Sequence, residues 1–333
     1  MRKLLAITAV LALLWGGYWL IGAGAMEKAL RGWIADRQGE GWVAEYTQLD
    51  TRGFPSRFDT TIEGLELADP DTGLAWQVPW FQILSLSYSP HHVIAVWPDQ
   101  QVIATPNQRI DITTADMRGS VVLDVDTSLP LNRASIVMER MEFGSNAGWS
   151  AALDHAQLAT RQSVGAVNSH DISFSATGFK PASGFIERLG RGDLLPDIID
   201  GMSVKATVAF TAPWDRFAIE RARPQVTRID LELLKANWDQ LDLWMAGAVD
   251  VDARGIPTGE ITVKAKNWRD MVTIAVAANV LPEALEGTVV GALEFLSTLS
   301  GDPTTLDAPL TVKNEKLWLG PVPIGAAPRI VIR

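Results

Sequence analysis

Four histidines, His91, His92, His155 and His170, and two aspartate pairs, Asp124/Asp126 and Asp250/Asp252, are the residues whose types could bind a metal or move a proton. Adjacent His91 and His92 would point to opposite faces of a strand, so one strand cannot turn both onto one ion. In a turn they could converge. No carboxylate stands at a diagnostic spacing from them, and they read as exposed residues of a loop after Pro90. The i, i+2 spacing puts each Asp pair on one strand face, as acid–base work would need. The intervening residues are Val249 and Val251, or Val125, so the carboxylates belong to the solvated face of a half-buried sheet. Asp69-Pro70-Asp71-Thr72-Gly73 resembles part of a calcium loop but lacks a Glu at the required distance, and it reads as a hairpin turn. There is no H-x-x-x-H pair, G-x-S-x-G elbow, Walker lysine loop or G-x-G-x-x-G. The expectation is a protein that is not an enzyme, with no catalytic residues, no metal and no cofactor.

Composition narrows the class further. The 333 residues are 47% hydrophobic and 20% charged, enough apolar mass for one large or two ordinary folded domains. The net charge of −10 and the lack of a basic run argue against a nucleic-acid partner. With no cysteine, disulfides, thiolate metal sites and a Cys nucleophile are excluded. That absence fits an oxidising compartment. Thirteen Trp against three Tyr favours large apolar contact surfaces or a lipid interface.

The elements that must position any site begin with Met1-Arg2-Lys3 and an uncharged apolar run from Leu4 to Gly24. As a helix that run would reach about 31 Å, the thickness of bilayer hydrocarbon. Trp15, Tyr18 and Trp19 fall near its distal end, where an aromatic belt belongs. The basic end should stay in the cytoplasm and the body should be exported. Residues 1–25 are therefore expected to be a transmembrane signal anchor in the inner membrane, with the body in the periplasm. Ala23-Gly24-Ala25 offers the competing reading, a cleavable signal peptide, although the run exceeds the usual h-region. Residues 26–40 continue as an amphipathic helix, with Met26, Ala29, Leu30, Trp33 and Ile34 on one face.

Residues 41–333 read as a β-rich domain. Period-two alternation marks Leu84/Leu86/Tyr88, Val121/Leu123/Val125 and Val204/Ala206/Val208/Phe210 as strands with one buried face. In Arg57–Leu67 the alternation changes phase after Gly64, which predicts a bulge. Ile229/Leu231/Leu233, Leu241/Leu243/Met245, Val249/Val251 and Ile261/Val263 predict an antiparallel meander turning at Arg254–Pro257. Helical spacing predicts two helices, over 268–279 and 282–299. The Gly- and Pro-bearing stretch Phe179–Met202 is expected to be a loop or short helix, breaking the body into two halves near 180–202. The fold class is thus mainly β: long twisted antiparallel sheet, an N-terminal transmembrane helix and two C-terminal helices.

The segment Arg52-Gly53-Phe54-Pro55-Ser56-Arg57-Phe58-Asp59, the stretch Leu241–Asp252 and the run Gly255–Ile261 resemble an uncharacterised proteobacterial envelope family, a domain of unknown function. In layout the chain is more remotely similar to AsmA-like envelope proteins. That resemblance implies one inner-membrane helix and a periplasmic body of antiparallel strands with an apolar concave face, in a family whose larger members carry phospholipid. It supplies no catalytic residues. The lipid-groove candidates are Leu84, Leu86, Val121, Leu123, Val204, Val208, Leu241, Leu243, Val249 and Val251. Expected partners are the inner membrane, phospholipid and envelope proteins; the competing role is an adaptor that scaffolds an envelope complex. An apolar sheet face must bind something apolar or pack on a second sheet, and alternation alone leaves both open.

Overall fold

A computed structural model describes residues 1–182, 184–185, 196–279, 281–299 and 302–332. Arg2–Gly39 is one helix, α1. The apolar run and the amphipathic stretch are continuous because no Pro separates them and Ala23, Ala25 and Met26 favour helix at the junction. Beyond α1 the chain is mostly strand, 53% against 22% helix overall, which is the mainly β class expected. It folds as two compact units, Met1–Leu123 with Ile136–Trp149, and Asp124–Ser135 with Ser150–Arg333. Much of the break expected near 180–202 lies outside the described residues.

The first unit holds β1 (Val43–Glu45), β2 (Gln48–Arg52), β3 (Arg57–Asp69), β4 (Leu74–Leu86), β5 (Ser89–Val96), β6 (Gln100–Thr105), β7 (Gln108–Thr113), β8 (Asp116–Leu123) and the later part of β9 (Leu131–Ser145). All of its pairings are antiparallel, built around the β3–β4 hairpin. The turn at Asp69–Gly73 forms as expected, with Gly73 N–H donating to the Asp69 carbonyl and Thr72 Oγ1 to the Asp69 carboxylate. One edge of β3 is shared by β2 and β1 on either side of Gly64. Gly64 has a φ of +59°, and a Cβ there would meet Thr47 Oγ1 at 2.4 Å. This irregularity carries the expected phase change: Phe58, Thr60 and Ile62 are buried before it and Leu65 after it. Ile34 of α1 closes the core over Ala44, Leu49, Ile62, Leu65 and Val78.

In the second unit β10 (Ser150–Gln162), β11 (Ser169–Phe179), β12 (Ile199–Phe210), β13 (Val226–Trp238), β14 (Leu241–Val251), β15 (Pro257–Lys266), β16 (Thr305–Lys313), β17 (Lys316–Leu319) and β18 (Val322–Ala326) follow one another. Each pairs antiparallel with the next. The expected meander is therefore part of a longer one. A short helix, α2 (Arg216–Glu220), is capped by the Asp215 carboxylate. The connection from β15 to β16 carries α3 (Trp268–Ala277) and α4 (Glu286–Leu299), the latter entered through a single 3₁₀ turn at Glu283–Leu285.

Trp268, Val272, Val289 and Leu293 of these helices pack on Ala265, Leu306, Ala308 and Val322 of the sheet. Trp268 is 1% exposed and its indole N–H donates to the Pro303 carbonyl. Removing that ring leaves a large void, while Arg269 Nη1 still donates to the Pro303 carbonyl. We expect Trp268→Ala to cost about 3–5 kcal/mol. In urea unfolding of the detergent-solubilised chain the midpoint should fall while the slope stays constant. An unchanged midpoint would show that the helices contribute nothing to this core.

Candidate functional site

Strand register decides which predicted groove residues can meet, because directly paired residues share a sheet face. In the second unit Val208 pairs with Ile229 and Ile229 with Val249. Val204 pairs with Leu234 and Leu234 with Met245, two residues along β14 from Leu243. Val204, Val208, Leu241, Leu243, Val249 and Val251 therefore lie on one face. In the first unit the candidates divide. Leu84 pairs with Ile94, which pairs with Ser120, while Val121 pairs with Val93, which pairs with Ser85. Leu84 and Leu86 thus share one face, and Val121 and Leu123 take the other.

Burial in the first unit also runs against the apolar alternation. Ser85 and Ser87 are buried, at 7% and 0% exposed, whereas Leu86 is 39% and Tyr88 65% exposed. Val122 is buried, and Val121 is 38% exposed. The reason is α1. It lies on the face of β3 that carries Phe58, Thr60 and Ile62, and only small side chains fit beside it at Ser85 and Ser87. Tyr18 Oη donates to the Ser87 carbonyl, Trp15 Nε1 to the Pro55 carbonyl at 2.9 Å and Trp19 Nε1 to the Arg57 carbonyl at 2.7 Å. The Trp19 ring stands edge-on to Phe54, and Trp19, Ala23 and Phe58 form a buried cluster. Gly22 makes room: a Cβ there would lie 2.6 Å from the Phe58 ring. The aromatic belt expected near the end of the apolar run is a set of contacts to the Gly53–Phe58 corner.

The face in the second unit is covered at two ends. Leu243 packs into the helical core, and Leu241 with Trp238 lies against Met271, Ile274 and Ala277. At the other end Ile330 and Ile332 pack against Val208, Val226 and Val251, held by a two-way bond between Gln225 and the Ile332 backbone. Between these covers runs a row of directly paired apolar residues, Phe174, Val204, Leu234, Met245 and Val263. All five are half-buried. Beside it lie Leu231 and Ile261. Phe174, absent from the expected candidates, could have been found in the alternation Ile172/Phe174/Ala176. Leu234 could not, because a bulge sets Glu232 and Leu233 opposite Ala246 alone and brings Leu234, in place of the expected Leu233, onto this face.

The polar residues singled out in the sequence do not come together in the structure. His91 and His92 lie in β5, half-buried, and not in an exposed loop; His92 Nε2 sits 2.9 Å from Ser120 Oγ. Among the described residues no group of three His, Asp or Glu could hold a metal ion. Asp250 pairs with Arg228 at 2.8 Å on the solvated face. Asp252 accepts the Ile256 and Arg254 N–H groups in the β14–β15 turn, and these bonds hold its carboxyl below the usual range. A shallow cavity of about 140 Å³ in the first unit is lined by Val43, Leu67, Trp76, Val102 and Arg109, below the roughly 300–1,000 Å³ of ordinary ligand sites.

Residues 19–328 match the model of a family described as an uncharacterized protein conserved in bacteria. The chain belongs to DUF2125. The DUF2125 match begins at Trp19, inside α1, so the contacts of Trp19 and Ala23 with the body fall within the family's span. No curated protein and no solved structure matches the chain.

His170, on the apolar face beside Val208, is 5% exposed, with its ring edge-on to Phe210 and Nδ1 3.2 Å from Thr160 Oγ1. Burial lowers its pKa, against the opposing pull of Asp171. A depressed histidine binds fewer protons folded than unfolded, so its contribution to stability is full above about pH 6.5 and is lost as the pH falls below that value. Urea midpoints should therefore drop from pH 7 to pH 5, and His170→Gln should reduce the drop. An unchanged pH profile in the variant would assign the effect elsewhere.

Proposed function

We propose that this protein is a membrane-anchored, non-catalytic component of the cell envelope that handles lipid. In this reading α1 stays attached and crosses the inner membrane, and the body stands in the periplasm. The helix is long and apolar enough to span a bilayer. Cleavage after Ala25 would remove Trp19 and Ala23 from their buried contacts with Phe58. That loss favours retention.

The observation that carries the lipid reading is the half-buried row from Phe174 to Val263. Five strands at ~4.8 Å spacing give it a length of about 19 Å. One leaflet of hydrocarbon is about 15 Å deep, half of the bilayer core, so a single acyl chain could lie along the row. The lining is apolar and contains no ionised side chain, which suits a lipid tail. The remote resemblance of the sequence layout to AsmA-like proteins, an analogy, points the same way. The competing occupant is a protein that the chain would scaffold within an envelope complex.

A photo-crosslinking amino acid at Met245 or Phe174, in cells labelled with radioactive phosphate, separates the two. Met245 and Phe174 should yield phospholipid adducts, and Lys264, on the opposite face, should not. Protein adducts alone would replace the lipid reading with the adaptor one. Met245→Asp should cut the Phe174 adduct several-fold in a folded protein, because its site is partly wet. Val249→Asp, at a position only 7% exposed, should unfold the second unit, since a buried unpaired carboxylate costs several kcal/mol.

A further inference from the structure

We infer that the corner Gly53–Ser56 and the β4–β5 tip at Leu86–Tyr88 are a membrane foot: they sit within the outer leaflet of the bilayer that α1 crosses, in contact with lipid. The inference rests on the reading of α1 as a retained anchor.

The first argument is axial position. Trp15 lies twelve residues beyond Lys3, about 18 Å along the helix. Hydrocarbon about 30 Å thick that begins beyond Lys3 ends near Gly24. Trp15 is then about 13 Å below the outer boundary, and the Pro55 carbonyl that it binds is at the same level. Tilting α1 lengthens the path and sets Trp15 no higher. Raising Trp15 to the outer boundary would leave only Leu4–Leu14, about 16 Å, to cross the membrane, which is about half the thickness.

The second argument is the chemistry of the foot. Gly53–Ser56 carries no charge, and no Asp, Glu, Lys or Arg occurs between Asp71 and Asp99, which spans the whole β4–β5 hairpin. Its outward side chains are apolar or amphipathic: Phe54 is 61% exposed and Tyr88 65%. The flanking charges, Arg52 and Arg57, have largely exposed side chains paired with Asp50 and Asp59, and both are long enough to reach upward toward the headgroups.

The third argument is backbone satisfaction. Irregular backbone is tolerated at membrane depth only where its polar groups find partners in the protein. Pro55 has no N–H, and its carbonyl accepts from Trp15 Nε1 and Ser87 Oγ. The Ser56 and Arg57 N–H groups donate to the Gly53 carbonyl, and the Ser56 carbonyl accepts from Ser87 N–H. The Arg57 and Ser87 carbonyls are taken by Trp19 and Tyr18. A solvent-facing loop could leave these groups to water; this corner supplies partners for them.

The chain has no cysteine, so single cysteines can be spin-labelled in an otherwise native background. Full-length Phe54→Cys and Tyr88→Cys, with Leu13→Cys in the apolar run and Asn107→Cys in the β6–β7 turn as references, are reconstituted into phosphatidylcholine vesicles. Relaxation by oxygen, which partitions into lipid, is compared with relaxation by a water-soluble nickel chelate. Labels at 54 and 88 should follow Leu13 in favouring oxygen, the reverse of Asn107. Labels at 54 and 88 that behave like Asn107, with Leu13 still in lipid, would overturn the foot and leave the anchor standing. A Leu13 label exposed to the chelate would overturn the anchor and the foot with it. The Tyr88 label decides the matter if Phe54→Cys fails to fold.

Discussion

Backbone carbonyls at a sheet corner must find donors, and in the first unit a helix supplies them. Trp15, Tyr18 and Trp19 place two indole N–H groups and one phenol on the carbonyls of Pro55, Arg57 and Ser87. Each ring covers apolar surface while its polar end is satisfied, the combination for which Trp and Tyr suit such boundaries. Three donors within about one helical turn fix the rotation and the axial position of α1 together. Contacts then follow in order along the helix. The Glu27 carboxylate accepts the Thr51 N–H, Arg31 donates to the Leu49 carbonyl, and Ile34 fills the core. Trp19 to Ile34 is about 22 Å of helix, and Phe58 to Leu65 is about 23 Å of strand. The two run side by side, so a helix set in a bilayer would fix the height of every residue of β3.

The second unit meets a different constraint. A nine-stranded meander has more apolar face than two helices can cover. The helices connect the end of β15 to the start of β16, so their cover extends from that end of the strands. The Ile330 and Ile332 contacts cover the opposite end of the strands. The middle row is left half-buried. The bulge in β13 sits within that row, and bulges increase local twist. The bend therefore falls where an apolar ligand would need a hollow.

Much of this was legible in the sequence. Period-two alternation marked the strands because one sheet face is buried along most of their length, and the phase change at Gly64 marked a real irregularity. The two C-terminal helices followed from spacing alone. In the second unit alternation also gathered its six candidate groove residues on one face. It failed in the first unit, where small polar residues are the buried ones. Ser85 and Ser87 face the helix because only small side chains fit there, a choice set by tertiary contact and invisible to hydropathy. It failed again at Leu233, because one extra residue in β13 moves the next apolar side chain to the other face. His91 and His92 read as a loop from their polarity and from Pro90, but pairing of His92 with β8, and of the flanking Ser89 and Val93 with β4, keeps them in a strand.

The uncharged hairpin from Thr72 to Pro98 has a cost before the protein is folded. Rich in Trp, Phe, Ile, Leu and Val, it carries the features of a segment that pairs with other copies of itself, and it has no charge to repel them. Pro79, Pro90 and Pro98 interrupt it at intervals of about ten residues, each removing a donor from any intermolecular ladder. Prolines at these positions would hinder aggregation of the unfolded stretch without adding a charge. Replacing the exposed Pro79 and Pro90 with better strand formers would cost the native hairpin little and leave the newly made chain more prone to self-association.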